Sequence, residues 1–119
     1  MKYNDPMKFF EKYKRAEVRI DNDPHTALFW ELTQSKDSEY ETEAQSLLNS
    51  KHLTKVIGKF RIEYAIADGE AGYEMFALNA PDEIIAGMEG PLPSNKKNQI
   101  ENIKELFAHS EATALIDTK

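Results

Sequence analysis

The residues able to do chemistry in this chain are carboxylates first and histidines a distant second. His25, His52 and His109 are scattered, and none has another ligand at i, i+4, so a histidine-built metal site has no support. Asp21-Asn22-Asp23 offers the oxygen donors of a hard-cation loop but lacks the glycine and the distal glutamate of an EF-hand, and reads as a solvated turn. There is no cysteine, which removes thiolate catalysis, thiolate zinc sites and disulfides together. No Gly-x-Ser-x-Gly elbow is present. Glu39, Glu41 and Glu43 alternate around one helical turn and are expected to face water, where nothing raises a carboxyl pKa for general-acid work. The chain is therefore expected not to be an enzyme and to need no cofactor.

What the carboxylates offer instead is a field. The net charge of -6 is unevenly spread. Residues 1–20 are basic, with Lys2, Lys8, Lys12, Lys14, Arg15 and Arg19 against Asp5, Glu11 and Glu17, whereas Asp21, Asp23, Glu31, Asp37, Glu39, Glu41 and Glu43 face Lys36 alone over 21–50. From 62 to 90 there are Glu63, Asp68, Glu70, Glu74, Asp82, Glu83 and Glu89 and no Lys or Arg. Blocks of this kind build potentials of a few kT that steer a charged partner. An acidic chain is a poor match for nucleic acid, and Phe9, Phe10 and Tyr13 in the basic start fall on an apolar helical stripe suited to a core rather than to base stacking. No apolar run approaches the roughly 20 residues that cross a bilayer, and Met1 to Pro6 precede no apolar signal segment. A cytoplasmic protein without membrane contact is expected.

The elements that must position these charges follow from periodicity. Over 54–67, Val56, Gly58, Phe60, Ile62, Tyr64 and Ile66 alternate with Lys55, Lys59, Arg61 and Glu63, a period of two that marks a half-buried strand. Asp68-Gly69-Glu70-Ala71-Gly72 interrupts it and 73–78 resumes it, which predicts a long hairpin with a loop of about five residues. In that register Tyr64 faces Phe76 and Ile62 faces Leu78 in the core, and Tyr73 and Met75 lie outside; a slip of one residue buries Tyr73 and Met75 instead.

Three helices are expected, at about 6–15, 39–49 and 95–108. Asp5-Pro6 starts the first; Ser38 caps the second, whose stripe is Tyr40, Ala44, Leu47 and Leu48; Ser94 opens the third, with Ile100, Ile103, Leu106 and Phe107 on one side. Ala16, Val18 and Ile20 suggest a short strand ending at the turn 21–24. Leu28, Trp30 and Leu32 alternate as a strand would and are read as its partner, although Asp23-Pro24 is also a helix start. Residues 81–88 read as a short helix, Pro91-Leu92-Pro93 as a linker, and 112–116 as an edge strand or a fraying end. At 119 residues, 40% hydrophobic and 30% charged, the chain is expected to fold as one domain, 1–119. The sum is α+β: an antiparallel sheet of four to five strands, built on the hairpin 54–67 and 73–78 and packed by the three helices.

The functional expectation is a small acidic protein that binds and masks a basic protein partner, in the manner of immunity proteins, antitoxins or phage counter-defence proteins. Asp68, Glu70, Tyr73, Glu74 and Met75 on the outer hairpin face would make the contact, with Asp21 and Asp23 adding charge. The alternative is a small-ligand-binding or enzymatic domain with an aromatic pocket lined by Trp30, Tyr64, Phe76 and Phe107. A homodimer through the outer hairpin face is a third arrangement.

Overall fold

The computed structural model describes residues 24–117, with side chains placed over 27–116. The helix expected at 6–15, the strand at 16–20 and the carboxylates Asp21 and Asp23 lie outside the described residues. The order is α1 (Pro24–Ser35), α2 (Asp37–Ser50), β1 (His52–Ile57), β2 (Phe60–Ala67), β3 (Glu70–Ala77), β4 (Ala80–Pro91) and α3 (Lys96–Asp117). The four strands form one antiparallel meander in the order β1-β2-β3-β4. The α+β architecture is thus as the sequence predicts, with four strands among the described residues.

Two tight turns decide which side chains face inward. The long strand expected over 54–67 is two strands, because Gly58 takes a left-handed φ of 58° and Ile57 pairs directly with Phe60 across Gly58-Lys59. The first central residue of a two-residue hairpin favours glycine for this conformation. The inward parity flips across the turn: Leu53, Lys55 and Ile57 face the core in β1, and Phe60, Ile62, Tyr64 and Ile66 in β2. Val56, expected inside, is 61% exposed.

The second turn is Asp68-Gly69, both left-handed (φ 54° and 75°), the pairing of a type I′ turn that matches strand twist. It replaces the expected five-residue loop and sets Ala67 opposite Glu70, Tyr64 opposite Tyr73 and Ile62 opposite Met75. Tyr73 and Met75 are therefore buried, and Phe76 and Leu78 are not their replacements in the core.

Three further expectations are corrected. Residues 24–35 are a helix rather than a strand: Phe29 and Leu32 are buried together, a helical stripe that the alternation of Leu28, Trp30 and Leu32 concealed. Residues 80–91 are strand β4 rather than a helix, with Ala86 and Met88 inward opposite Met75 and Tyr73 and register shifts beside Phe76 that absorb extra residues. The tail 112–116 continues α3, where Ala112 and Ala114 are fully buried.

The helices cover one face of the sheet. α2 presents Tyr40, Ala44 and Leu47, as its stripe predicts, and ends where Lys51 turns left-handed (φ 67°) and donates to the Leu47 carbonyl at 2.7 Å. It starts at Asp37 without a side-chain cap from Ser38. α3 is capped by Asn95, whose Oδ1 accepts from the Asn98 N–H at 3.2 Å, rather than by Ser94. It lies between the sheet and α1, which explains why it is buried on several sides from Ile103 to Ala114. The core of Phe29, Tyr40, Leu47, Ile62, Tyr64, Met75, Met88 and Phe107 fills this interface, each large side chain stabilising by about 1.5–3 kcal/mol. No described helix is long and apolar enough to cross a membrane.

Candidate functional site

The face of the sheet turned away from α2 and α3 carries the charge. The register sets Glu63 of β2 directly opposite Glu74 of β3, with Glu74 next to Gly87 and Gly72 next to Glu89 of β4. Ala65, Ala67 and Gly72 make a low floor, and Glu63, Glu70, Glu74, Glu89, Asp68 and His52 stand around it, enclosing a shallow groove of about 370 Å³. The floor has a steric cause. A Cβ on Gly72 would sit 2.5 Å from the Met88 carbonyl oxygen and 2.9 Å from the Glu89 Cβ, so β3 and β4 approach this closely only with glycine there.

Like charges directly across a sheet repel, and Glu63 is relieved by an ion pair with Arg61 and by His52 Nε2 at 3.1 Å. Arg61 also donates to the Pro81 carbonyl at 3.0 Å and lies over the Phe76 ring at 4.4 Å. The face is thus graded. Arg61, Phe76, Val56 and Ile84 make its apolar end, and Glu70, Glu89 and the turn residue Asp68 its acidic end.

Of the residues singled out from sequence, Asp68, Glu70 and Glu74 come together here. Tyr73 and Met75 point the other way: Met75 is fully buried, and the Tyr73 hydroxyl meets His109 Nδ1 at 2.8 Å inside the fold. Asp21 and Asp23 lie outside the described residues. Sequence reasoning missed Glu63, Glu89 and His52. The signal for Glu63 was available, because placing a two-residue turn at Asp68-Gly69 puts it opposite Glu74.

A second cluster, unanticipated from sequence, lies on the core face. Lys55 points inward from β1 and donates to Glu43 at 2.5 Å and Glu111 at 2.8 Å. Its ammonium stands 4.0, 5.0 and 5.7 Å from the ring centres of Phe107, Tyr40 and Tyr64. Glu111 is 1% exposed and also accepts from Lys36 at 3.3 Å. Burial works against the Lys36 charge, but Glu111 outweighs it and its pKa is raised. Ser110 donates its single proton to the Phe107 carbonyl at 2.9 Å, so the Tyr64 hydroxyl, 2.5 Å away, is the donor to Ser110. Burial first, with the nearby Glu111 charge adding to it, pushes the Tyr64 pKa up. Burial and Glu111 raise Tyr40 in the same way, although its hydroxyl closes no well-formed hydrogen bond. The hint in the sequence is His109-Ser110-Glu111, three polar residues inside an otherwise apolar helical stretch. This cluster ties β1 to α2 and α3.

Phe76 lies on the outer face, whereas Tyr64 and Phe107 are in the core, so the aromatics expected to line a pocket are divided by the sheet. Among the described residues no group of histidines and carboxylates is arranged to hold a metal ion. No protein-family model matches the chain, and no curated protein or solved structure is detectably similar to it.

Proposed function

We propose that this chain is a small binding protein that docks on and masks a basic protein partner through the acidic outer face of its sheet. The observation that carries the reading is the convergence of Asp68, Glu63, Glu70, Glu74 and Glu89 on one face over a floor of Ala65, Ala67 and Gly72. Small residues let a partner's lysine or arginine side chains lie flat along the strands, and the carboxylates accept their charge. The apolar end, with Val56 and Ile84 exposed, supplies area whose burial is insensitive to salt. The field of such a face accelerates encounter with a basic surface, the property an inhibitor of a fast-acting partner needs. Masking a partner, as an immunity protein or antitoxin does, requires no catalytic group of its own.

The test is capture from the native host with immobilised wild-type protein beside the variant Asp68→Lys, Glu70→Lys, Glu74→Lys, eluted across a salt gradient. A basic protein retained by the wild type, lost from the variant and released by rising salt supports the reading. Retention of the same proteins by both baits would refute it.

A further inference from the structure

Among the described residues the sheet ends at β1, whose outer edge pairs with no strand. The groups exposed there follow from the antiparallel ladder, in which alternate residues turn both backbone groups toward the same neighbour. The Ile66 N–H reaches the Lys51 carbonyl at 3.0 Å, and Ile57 pairs with Phe60 across a two-residue turn. Lys51, Leu53, Lys55 and Ile57 therefore face β2, and His52, Thr54 and Val56 face outward. The Ser50 hydroxyl lies 2.7 Å from the His52 carbonyl and 3.4 Å from its N–H. Thr54 and Val56 keep their N–H and C=O groups turned outward.

The two edges of the sheet differ. β4 carries Pro81 and Pro91, irregular register and the charges Asp82 and Glu83, all of which obstruct pairing. β1 carries only an inward lysine, which guards an edge when its charge must reach water. Here Lys55 is already paired with Glu43 and Glu111, so an added strand isolates no charge.

Charge decides the occupant. Lys51 and Lys59 flank the edge, both exposed and neither ion-paired among the described residues. A second copy joined Thr54 to Val56 about a two-fold axis sets Lys51 against Lys59 at both ends and Lys55 against itself, like charges directly opposed. We propose that the outer edge of β1, unpaired among the described residues, is a strand-addition site for an extended, β-branched segment of another protein that carries an acidic residue at each end, opposite Lys51 and Lys59. This edge differs in sign from the acidic face, meets it at Val56, and rests on the backbone of β1 rather than on the carboxylates.

The probe is a fluorescein-labelled peptide, Glu-Thr-Val-Thr-Val-Thr-Val-Thr-Glu, followed by fluorescence anisotropy with the full chain. Saturable binding is expected, with affinity falling about tenfold or more for Val56→Pro, which removes one outward N–H and no ladder bond. Circular dichroism checks that this variant is folded. On the wild type, N-methylation of the fourth and sixth peptide residues, which face Val56 and Thr54, should abolish binding, while methylation of the fifth should not. The double variant Lys51→Glu, Lys59→Glu should prefer the peptide with lysine ends. No saturation up to about 1 mM, weaker than any useful peptide site, overturns the proposal, as does indifference to methylation of the fourth and sixth residues. A dimer in sedimentation that Val56→Pro dissociates also overturns it, by giving the edge to a second copy.

Discussion

Glu111 shows what a buried charge requires of its surroundings. It sits almost wholly out of water with two lysines on its oxygens, Lys55 at 2.8 Å and Lys36 at 3.3 Å. Removing its charge leaves the nearly buried Lys55 with Glu43 as its one remaining carboxylate, so Glu111→Gln should lower stability by about 3 kcal/mol in urea titration. Glu39, 57% exposed beside the same Lys36, should cost less than about 0.5 kcal/mol when changed to glutamine. The two buried tyrosines make a sharper pair. The Tyr40 hydroxyl is buried near Glu111 without a well-formed hydrogen bond, so Tyr40→Phe should cost less than about 0.5 kcal/mol. Tyr64→Phe takes a donor from Ser110 and should cost about 1 kcal/mol. Equal losses for the two would contradict the hydrogen-bond assignment.

At the scale of elements, the hairpin turns set the register and the register sets the site. Gly69 and Gly72 sit three residues apart but serve different ends. Gly69 has a φ of 75° and open space beyond its Cα, so Gly69→Ala should cost about 1 kcal/mol, the strain of a left-handed alanine. Gly72→Ala drives a Cβ into the β4 backbone at 2.5 Å, and should lower the melting temperature further than Gly69→Ala by pushing β4 from β3. The β2-β3 hairpin and α2 were legible because their side chains alternate or stripe cleanly. A five-residue loop starts β3 at 73 rather than Glu70, a register three residues from the observed one, and because three is odd it turns Tyr73 and Met75 to the wrong face. α1, β4 and the end of α3 were harder for a different reason. Their apolar residues fit two periods, and burial by a neighbour that sequence does not show decided between them.

For the whole molecule, titration and charge give the measurable consequences. Tyr40 and Tyr64 hold their protons more tightly when folded than the unfolded chain does near pH 10. Lys104 acts in the same direction: burial opposes its charge, but hydrogen bonds to Asp37, Glu41 and Glu101 outweigh this and raise its pKa. Their stabilisation is complete below pH 10. As pH rises past it, the unfolded chain releases protons that the native protein keeps, and stability falls by up to about 1.4 kcal/mol per pH unit for each tyrosine. Denaturant titrations between pH 8 and about 11 should show this decline, and Tyr64→Phe should flatten it. At neutral pH, the charge reversal of Asp68, Glu70 and Glu74 should cost only about 1 kcal/mol, the strain of lysine at the left-handed Asp68 position (φ 54°), because Glu70 is exposed and Glu74 faces Glu63. Its effect on partner capture then reports on docking rather than on folding.

Taken alone, the sequence determined the α+β class, the antiparallel hairpin, the helical stripe of α2 and the long acidic block from 62 to 90. These are local properties, carried by periodicity, turn residues and charge order. Only the tertiary structure decided that 24–35 is a helix, that Lys55 points into the core, and that Glu63 and Glu89 join Glu70 and Glu74 on one face. Those outcomes rest on strand register and on which neighbour covers each element. A shift of a single residue reverses the face of every side chain in a strand, and contacts between segments far apart in the chain fix that shift.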